Sequence, residues 1–333
     1  MSPLLEIENL SVRLPVEGQM RTVLHDVSLR LEAGRTLGLV GESGSGKSMT
    51  ARAVARLLPP GAESSGRVEF AGASVLDLRG PALRAYRAGD VAMVFQDPRA
   101  HVNPVYRIGH FLTEALRMDR RTGRRAAERT AVDLLAEVGV TDPGRRMRQY
   151  PHELSGGLLQ RVMIAAAVAV RPRLILADEP TTALDMTTQA DVMRILDGLR
   201  REYGMAMLLI THDLELAGAV CDEIAVMYAG GIVERQGSER LSRDPLHPYT
   251  AALLRARPDI ARRVERLPAV PGRPTSAYEA PEGCAFAPRC AHVRPECREA
   301  LPPLRAVDGA HSRCLRVDGL RGALLHTEGT TAP

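Results

Sequence analysis

A glycine-rich loop with a single lysine carries the clearest chemical signal in the sequence. Residues 41–48 read GESGSGKS, which matches the pattern GxxxxGK[ST] of loops that bind the phosphates of a nucleotide. The glycines let the backbone curl so that its N–H groups point inward, and Lys47 reaches the β- and γ-phosphates. The Ser48 hydroxyl ligates Mg²⁺ in such loops, and the following helix directs its positive end at the phosphates. The competing interpretation is an ordinary Gly/Ser-rich turn, and the strand before the loop and the helix after it argue against that.

Lys47 is also the only lysine in the chain. Of the 44 Lys and Arg residues, 43 are arginine. A compositional bias that removed lysine elsewhere has kept it here, which indicates a task that arginine cannot perform. An ammonium is a compact point charge, whereas a guanidinium is a bulky planar fork.

Polar residues follow three further apolar strands. Gln96 follows strand 91–95, Asp178 and Glu179 follow strand 174–177, and Thr211 and His212 follow strand 207–210. Because the carboxyl ends of parallel strands form the binding crevice of an open α/β sheet, we expect these side chains to share one edge. Asp178 fits a Mg²⁺ carboxylate, and Glu179 can polarise an attacking water as general base. Taken alone, an Asp-Glu pair can equally start a helix, and a lone His is usually structural.

A second helix start has the features of a phosphate site. Leu154-Ser155-Gly156-Gly157 opens the helical segment 158–169. Ser155 can cap this helix, and the amides of Gly156 and Gly157 are free to bind an anion. An ordinary capped helix is the alternative, and it would be preferred if this segment stood alone.

The elements that must position these residues alternate between strand and helix. This alternation predicts an α/β fold, with a parallel sheet covered by helices. Beyond Gly237 the chain becomes rich in Pro and Arg. The predicted strands are 4–10, 23–31, 36–40, 66–76, 91–95, 174–177, 207–210 and 224–228, and the predicted helices include 49–58, 111–118, 126–138, 188–203 and 214–220.

The composition excludes several classes of protein. The chain has 333 residues, is 45% hydrophobic and 25% charged, and carries a net charge of +4, which is typical of a globular protein of about two domains. The charge is too small to indicate nucleic-acid binding, and only 11 aromatic residues are present for stacking on bases. The longest uncharged apolar run, 162–170, is too short to cross a membrane, and the N-terminus does not resemble a secretion signal. We therefore expect a protein that remains in the cytosol.

Together these motifs resemble those of the ATP-binding cassette (ABC) ATPase subunits. The loop at 41–48 is similar to the Walker A motif, Gln96 to the Q-loop, 154–157 to the signature and 174–179 to Walker B. ALD at 183–185 resembles the D-loop, and His212 the switch histidine. Within the family, GESGSGKS, FQDP, YPHELSGG and ADEPTTALD, with HPYT at 247–250 and GCAFAPRC at 283–290, resemble the dipeptide/oligopeptide/nickel import branch.

The resemblance implies a fold, a function and a set of site residues. The implied fold is a P-loop α/β core with an antiparallel β subdomain, a helical subdomain and a Cys-rich C-terminal extension. We expect the division 1–96 (antiparallel sheet and Walker A part of the core), 97–170 (helical subdomain with the signature), 171–236 (rest of the core) and 237–333 (extension). The implied catalytic residues are Glu179, His212 and Gln96, and the implied Mg²⁺ ligands are Ser48, Gln96 and Asp178. The implied nucleotide-binding residues are Gly41, Ser43, Gly44, Ser45, Gly46, Lys47, Ser48, Met49, Ser155, Gly156, Gly157 and Asp185.

The implied activity is ATP hydrolysis, with Mg²⁺, that powers peptide import at the cytoplasmic face of a bacterial membrane. The implied partners are a second ATPase subunit, identical or a paralogue, two transmembrane permease subunits and an extracytoplasmic substrate-binding protein, and no nucleic acid. A nickel import ATPase and a soluble ABC ATPase that acts outside transport are the alternatives. The second fits less well, since the chain has one cassette and only a short helical insert.

The sequence departs from the family pattern at two positions. Family members often stack an aromatic residue of the N-terminal sheet on adenine, whereas the nearest position here is Leu14 and no Phe, Tyr or Trp precedes Phe70. We therefore expect an apolar and weaker adenine contact. The fifth signature residue is Leu158, where Gln or Met is usual, so we expect the phosphate contacts of Ser155 and Gly157 but no polar side-chain contact from the fifth residue.

Four of the five cysteines lie close together in the extension. Cys284, Cys290, Cys297 and Cys314 have the spacing C-x5-C-x6-C-x16-C. A cytosolic chain should not rely on disulfides, and zinc sites usually have more closely spaced pairs. Four thiolates on loose loops suit an iron–sulfur cluster, and the resemblance to the peptide-import branch points the same way. We expect a [4Fe–4S] cluster, with zinc and free thiols as the alternatives.

Overall fold

The computed structural model describes residues 3–118, 122–182, 184–256 and 270–325. In this part of the chain no helix is long and apolar enough to span a lipid bilayer. The strands are β1 (Leu5–Val16), β2 (Gln19–Leu31), β3 (Thr36–Val40), β4 (Glu63–Phe70), β5 (Ala73–Ser74), β6 (Val91–Val94), β7 (Leu174–Asp178), β8 (Ala206–Thr211), β9 (Glu223–Tyr228), β10 (Gly231–Gly237), β11 (Arg305–Val307) and β12 (Ala310–Ser312). The α-helices are α1 (Lys47–Val54), α2 (Gly80–Ala85), α3 (Pro98–His101), α4 (Ile108–Met118), α5 (Arg124–Glu137), α6 (Pro143–Arg146), α7 (Gly156–Val168), α8 (Met186–Glu202), α9 (Leu214–Val220), α10 (Ser238–Arg243), α11 (Pro248–Arg255) and α12 (Val317–Leu320).

The N-terminal sheet is antiparallel, in the order β2-β1-β4-β5. Its two long strands are longer than the sequence predicted, because β1 and β2 continue into a tight hairpin at Glu17 and Gly18. Both turn residues have positive φ, 50° and 77°, which matches the twist of the strands they join. The predicted strand 66–76 is wrong as a single element. Ala71 and Gly72, also with positive φ, turn the chain between β4 and β5.

The second sheet has the order β11-β12-β10-β9-β3-β8-β7-β6. β3, β8, β7 and β6 are neighbours and run parallel, so the carboxyl ends of all four meet at one edge. β3, β7 and β8 are buried along their whole length, which explains their continuous apolar sequence. The predicted α/β core with a parallel sheet is therefore confirmed.

Helices α3 to α7 form the region between β6 and β7. The predicted helix 111–118 lies within α4, and the predicted helix 126–138 corresponds to α5 except at its last residue. α7 is the central helix of this region, since most of its side chains are buried, including Leu159, Val162 and Ile164. Ser155 caps its start by accepting a hydrogen bond from the Leu158 amide at 3.3 Å.

The C-terminal extension continues the central sheet. β12 pairs with β10, and β11 pairs with β12 to form the edge of the sheet. Glu234 of β10, fully buried, accepts hydrogen bonds from the amides of Leu246 and His247, each at 2.8 Å, and so fixes the start of α11. Arg313, 5% exposed, donates to the carbonyl oxygen of Ile232 at 2.9 Å. These buried polar contacts hold the extension against the core.

Candidate nucleotide site

A cavity of about 1040 Å³ opens at the edge where the four parallel strands end. The structure brings most of the predicted site residues together there. The lining residues are Val23, Gly41, Glu42, Ser43, Gly44, Gly46, Lys47, Ser48, Met49, Gln96, Glu179, Thr182, His212, Leu253, Pro274, Ser276, Ala277 and Tyr278.

The loop between β3 and α1 requires glycine at two positions for steric reasons. A Cβ on Gly41 would lie 2.1 Å from the carbonyl oxygen of Met227, which leaves no space for any side chain. Gly46 has a φ of 103°, and a Cβ there would lie 2.8 Å from Leu24. The loop therefore packs its backbone directly against β9 and β2.

Lys47 is buried beneath this loop. Only 4% of the residue is exposed, and its Nζ donates hydrogen bonds to the carbonyl oxygens of Gly41 at 2.8 Å and Glu42 at 3.0 Å. Burial lowers the pKa of Lys47, and the nearby carboxylates of Glu179, Asp178 and Glu42 oppose this shift. The ammonium is thus held inside the loop by carbonyl oxygens that it can exchange for phosphate oxygens.

Ser48 and Asp178 form the next layer of the site. The Ser48 hydroxyl donates to Asp178 Oδ1 at 2.7 Å, which joins the start of α1 to the end of β7. Burial raises the pKa of Asp178, and the hydrogen bond from Ser48 lowers it in part. A hydroxyl and a carboxylate in contact are oxygen ligands of the kind that Mg²⁺ prefers.

Glu179 is the point where three other side chains converge. Its Oε2 accepts hydrogen bonds from Gln96 Nε2 at 3.0 Å and from the Thr182 hydroxyl at 2.8 Å. His212 Nδ1 lies 3.6 Å from the same oxygen. Glu179 itself has a φ of 46°, in the left-handed region that non-glycine residues rarely adopt. Backbone strain at a carboxylate that an amide and a hydroxyl hold beside an imidazole is a common feature of functional sites.

One buried side-chain donor lies behind the loop. The Ser45 hydroxyl is buried and has no hydrogen-bond partner among the described residues. It lies under Gly41, 2.9 Å from the place a Cβ would take. A buried donor without a partner costs free energy. Ser45 does not line the cavity, so the fit of a phosphate there rests on Lys47 and on the glycine positions of the loop.

The signature residues lie away from this cavity. Ser155, Gly156 and Gly157 start α7, and a Cβ on Gly157 would lie 2.8 Å from Thr188 of α8. Asp185 caps α8 by accepting a hydrogen bond from the Thr188 amide at 3.0 Å, and these hydrogen bonds lower its pKa. Residue 183 of the predicted D-loop lies outside the described residues. The second predicted set of nucleotide-binding residues is thus not among the described residues that line the cavity.

The C-terminal extension reaches the site, which the sequence analysis did not predict. Tyr249 accepts a hydrogen bond from the Glu42 amide at 3.0 Å, and Arg289 donates two to the Glu42 carboxylate. Residues 274 and 276–278 line the cavity. These contacts join positions more than 200 residues apart in the sequence, so no local pattern signals them.

The four cysteines of the extension line one small cavity of about 20 Å³. The backbone brings two of them together, since the Cys284 amide donates to the Cys297 carbonyl oxygen at 2.8 Å. Burial raises the pKa of Cys284, and raises the pKa of Cys290 and of Cys314 to about 11. Within the ranges that the structure describes, no group of three or more His, Cys, Asp or Glu side chains is arranged to hold a metal ion.

Fold and cavity together define a P-loop ATPase. The ABC transporter family model matches residues 24–182, and the model of the oligopeptide/dipeptide transporter C-terminal region matches residues 233–297. The chain belongs to the ABC transporter family, as an ATP-hydrolysing subunit.

Curated relatives match nearly the whole chain. A putative peptide import ATP-binding protein of Brucella abortus is 44% identical over 94% of this chain and 95% of its own length. The oligopeptide transport ATP-binding protein OppD of Haemophilus influenzae is 42% identical over 90% of this chain and 93% of its own length. Among solved structures, the dimeric ATP-binding cassette MJ0796, in a post-hydrolysis state bound to ADP and Pi, aligns with a TM-score of 0.63 and 27% identity. That alignment covers 70% of this chain and 98% of the cassette.

Proposed function

We propose that this ATPase powers the import of peptides across a bacterial cytoplasmic membrane, from a position on its cytoplasmic face. The observation that carries the proposal is the pair of matches in one chain: the ABC transporter model over 24–182 and the oligopeptide/dipeptide transporter C-terminal region over 233–297. Relatives named for peptide import that match over nearly their full length support the same substrate class.

In the proposed reaction, the loop amides and Lys47 hold the β- and γ-phosphates of ATP. Ser48 and Asp178 hold Mg²⁺, which neutralises charge on the phosphates when it is bound. Glu179 accepts the proton of the attacking water through Oε2. The water oxygen bonds to the γ-phosphorus as the bond to the bridging oxygen breaks, which gives ADP and inorganic phosphate. Gln96 and His212 orient the Glu179 carboxylate, as their contacts with Oε2 support.

The signature residues act on the nucleotide of a second subunit. Ser155, Gly156 and Gly157 start a 13-residue helix but do not line the cavity of their own chain. A helix start with free amides suits an anion, so a second ATPase subunit, identical or a paralogue, completes each site. Asp185 caps α8 at Thr188, and Thr188 packs against Gly157 at the start of the signature helix. Asp185 therefore belongs to the same contact between subunits. ATP binding closes the pair, and closure drives the permease.

The permease docks in a groove of about 680 Å³ in the helical region. Val105 and Tyr106 line this groove and are 74% and 48% exposed. The groove carries four arginines and one glutamate, namely Arg107, Arg117, Arg124, Arg148 and Glu128. An apolar, positively charged groove suits a cytoplasmic helix of the permease with one apolar face and acidic neighbours. The groove begins at Val105, nine residues after Gln96, and the Gln96 side chain contacts Glu179. This short segment therefore connects the permease groove to the catalytic carboxylate.

We also propose that the chain divides into the four regions 1–96, 97–170, 171–236 and 237–333. The region 97–170 carries the permease groove and the signature helix, while 1–96 and 171–236 carry the nucleotide cavity. The extension 237–333 supports the phosphate loop through Tyr249 and Arg289.

We also propose a metal centre on Cys284, Cys290, Cys297 and Cys314. Their shared cavity supports it, and four thiolates suit a [4Fe–4S] cluster or, as the alternative, tetrahedral zinc. The cavity holds about one water-sized particle, so a cluster requires the cysteine-bearing loops to move apart. Such a centre would tie these loops together and have a structural role.

Transport assays test the proposed substrate class. The chain is reconstituted in vesicles with two permease subunits and the substrate-binding protein of the same transport system, and ATP hydrolysis is measured with a mixed di- to pentapeptide pool or with Ni²⁺. We expect peptides to stimulate hydrolysis and to accumulate in an ATP-dependent manner. Stimulation by Ni²⁺ alone would favour the nickel import alternative. ATP hydrolysis that no permease alters would favour an ABC ATPase outside transport.

A further inference from the structure

The adenine end of the nucleotide cavity has no aromatic residue from the N-terminal sheet. The first Phe, Tyr or Trp in the sequence is Phe70, which is 5% exposed and packs edge-on against Tyr86 at 5.4 Å. Leu14, where the sequence placed the adenine contact, packs against the core of that sheet and is not among the described residues that line the cavity. Any aromatic ring that contacts the adenine must therefore come from another element.

Tyr278 supplies an aromatic ring at this cavity from the C-terminal extension. It lines the cavity together with Val23 and the phosphate loop, and it is 48% exposed. Within the described ranges its ring stacks on no other ring and its hydroxyl makes no hydrogen bond. A half-exposed tyrosine that lines a ligand cavity, with no other ring stacked on it within the described ranges, has the properties of a stacking platform.

The backbone around Tyr278 is held firmly in place. It lies in a short 3₁₀ turn, Ala277–Glu279, whose first residue is 3% exposed. The carbonyl oxygen of Ala277 accepts a hydrogen bond from His25 Nε2 of β2 at 2.8 Å. The Glu279 carboxylate is bound by Arg273 at 2.7 and 2.6 Å. The turn is thus fastened to the sheet that borders the cavity, and the ring needs little further ordering when a ligand binds.

We propose that Tyr278 stacks on the adenine ring of ATP whose phosphates occupy the 41–48 loop. The platform is then contributed by the extension and not by the N-terminal sheet. This inference rests on ATP binding at the cavity and adds its base-recognising residue. Loss of one aromatic contact should weaken ATP binding by about threefold to tenfold, the range expected for a stacked pair.

Binding measurements with and without a base test the inference. Affinities for Mg-ATP and for Mg-tripolyphosphate, which has no base, are compared for the full chain and for Tyr278→Ala and Tyr278→Phe. We expect Tyr278→Ala to weaken ATP binding and to leave tripolyphosphate binding unchanged, while Tyr278→Phe retains both. Equal affinities of wild type and Tyr278→Ala for ATP, or an equal loss for both ligands, would overturn the proposal.

A spectroscopic test uses the absence of tryptophan from the sequence. Tyr278→Trp introduces a single tryptophan at the proposed platform. ATP should quench or shift its emission, whereas tripolyphosphate should not. If the tryptophan emission does not change with ATP in a variant that still binds ATP, stacking at this position is excluded. If the wild-type chain binds neither ATP nor tripolyphosphate, the proposed nucleotide site is wrong. This result differs from the one that would overturn the role of Tyr278 alone.

Discussion

Arg289 of the extension forms a two-point ion pair with Glu42 of the phosphate-binding loop. Its two terminal nitrogens lie 2.7 and 3.1 Å from the Glu42 carboxylate oxygens, and the guanidinium side chain is 3% exposed. Arg289 also donates to the carbonyl oxygen of Pro271 at 2.7 Å, and it stands next to Cys290 in the sequence. The pair therefore connects the cysteine-bearing segment directly to the loop that holds Lys47.

Arg289→Met should destabilise the chain and weaken ATP binding. Removing one partner leaves the Glu42 carboxylate without its counter-charge, which costs about 3 kcal/mol for a largely buried pair. Chemical denaturation of wild type, Arg289→Met, Glu42→Gln and the double variant gives the coupling energy, which we expect at about 1–3 kcal/mol. Arg313→Met is the matched control, because Arg313 is also a buried arginine of the extension but contacts Asp26 and Ile232 instead. It should lower stability and leave the affinity for ATP unchanged, and an equal loss of ATP affinity in both arginine variants would contradict a specific link.

Short apolar segments followed by polar residues predict the strands that end at the cavity. Contacts between distant parts of the sequence could not be predicted in this way. Lys47, Asp178, Glu179 and His212 could be placed at one edge because each follows or precedes a short apolar segment. The turn at Ala71 is hard to predict because its positive φ occurs at a non-glycine residue, and the glycine comes only one position later. The contacts of Glu42 with Tyr249 and Arg289 depend on how the extension folds back onto the core. The spacing of apolar residues along the sequence carries no information about such long-range contacts.

Glu179→Gln should stop turnover and retain ATP binding. The amide cannot accept the proton of the attacking water, and loss of a general base typically lowers a rate by about 10²–10⁴-fold. Phosphate release and ATP affinity are measured on the same preparation. Glu239→Gln, at an exposed position of α10, is the control and should behave as wild type. Near-normal hydrolysis by Glu179→Gln would exclude Glu179 as the base.

Lys47→Arg should lose nucleotide affinity although arginine fills every other basic position. The Nζ atom occupies a buried space between two carbonyl oxygens at 2.8 and 3.0 Å, which a planar guanidinium cannot enter without displacing the loop. We expect ATP binding to weaken by more than about tenfold, or 1.4 kcal/mol, as measured by equilibrium dialysis. Lys47→Ala provides the reference for complete loss of the ammonium. Tight ATP binding by Lys47→Arg would show that the single lysine reflects composition alone.

Glu234 should make stability fall as the pH rises from 5 to 8. Burial raises the pKa of Glu234 from 4.5 to about 7, so its contribution is complete below about pH 4.5 and is lost as the pH rises through 7. This amounts to about 2–3 kcal/mol of unfolding free energy between pH 5 and pH 8. Burial lowers the pKa of His247 from 6.5 to about 3. The stability that its neutral form contributes is therefore lost as the pH falls below 6.5, which is the opposite pH dependence to that of Glu234.

The difference between wild type and Glu234→Gln isolates the carboxyl group, because His247 is present in both. Denaturation curves at pH 5, 6, 7 and 8 should show a difference in unfolding free energy that changes steadily with pH. A constant difference across this range would mean that Glu234 does not titrate in it.

The cysteine cavity should contain a metal when the chain is purified without oxygen. We expect iron and acid-labile sulfide in equal amounts, or zinc in the alternative case, and loss of the metal in Cys290→Ser. Cys221→Ser is the matched control, since Cys221 is buried against the core strands and does not line that cavity. Because burial raises the pKa of Cys290 and Cys314 to about 11, metal binding must displace protons, so acidification should release the metal. Protein that carries neither iron nor zinc, and whose four extension thiols all react with an alkylating reagent after anaerobic purification, would refute the metal centre.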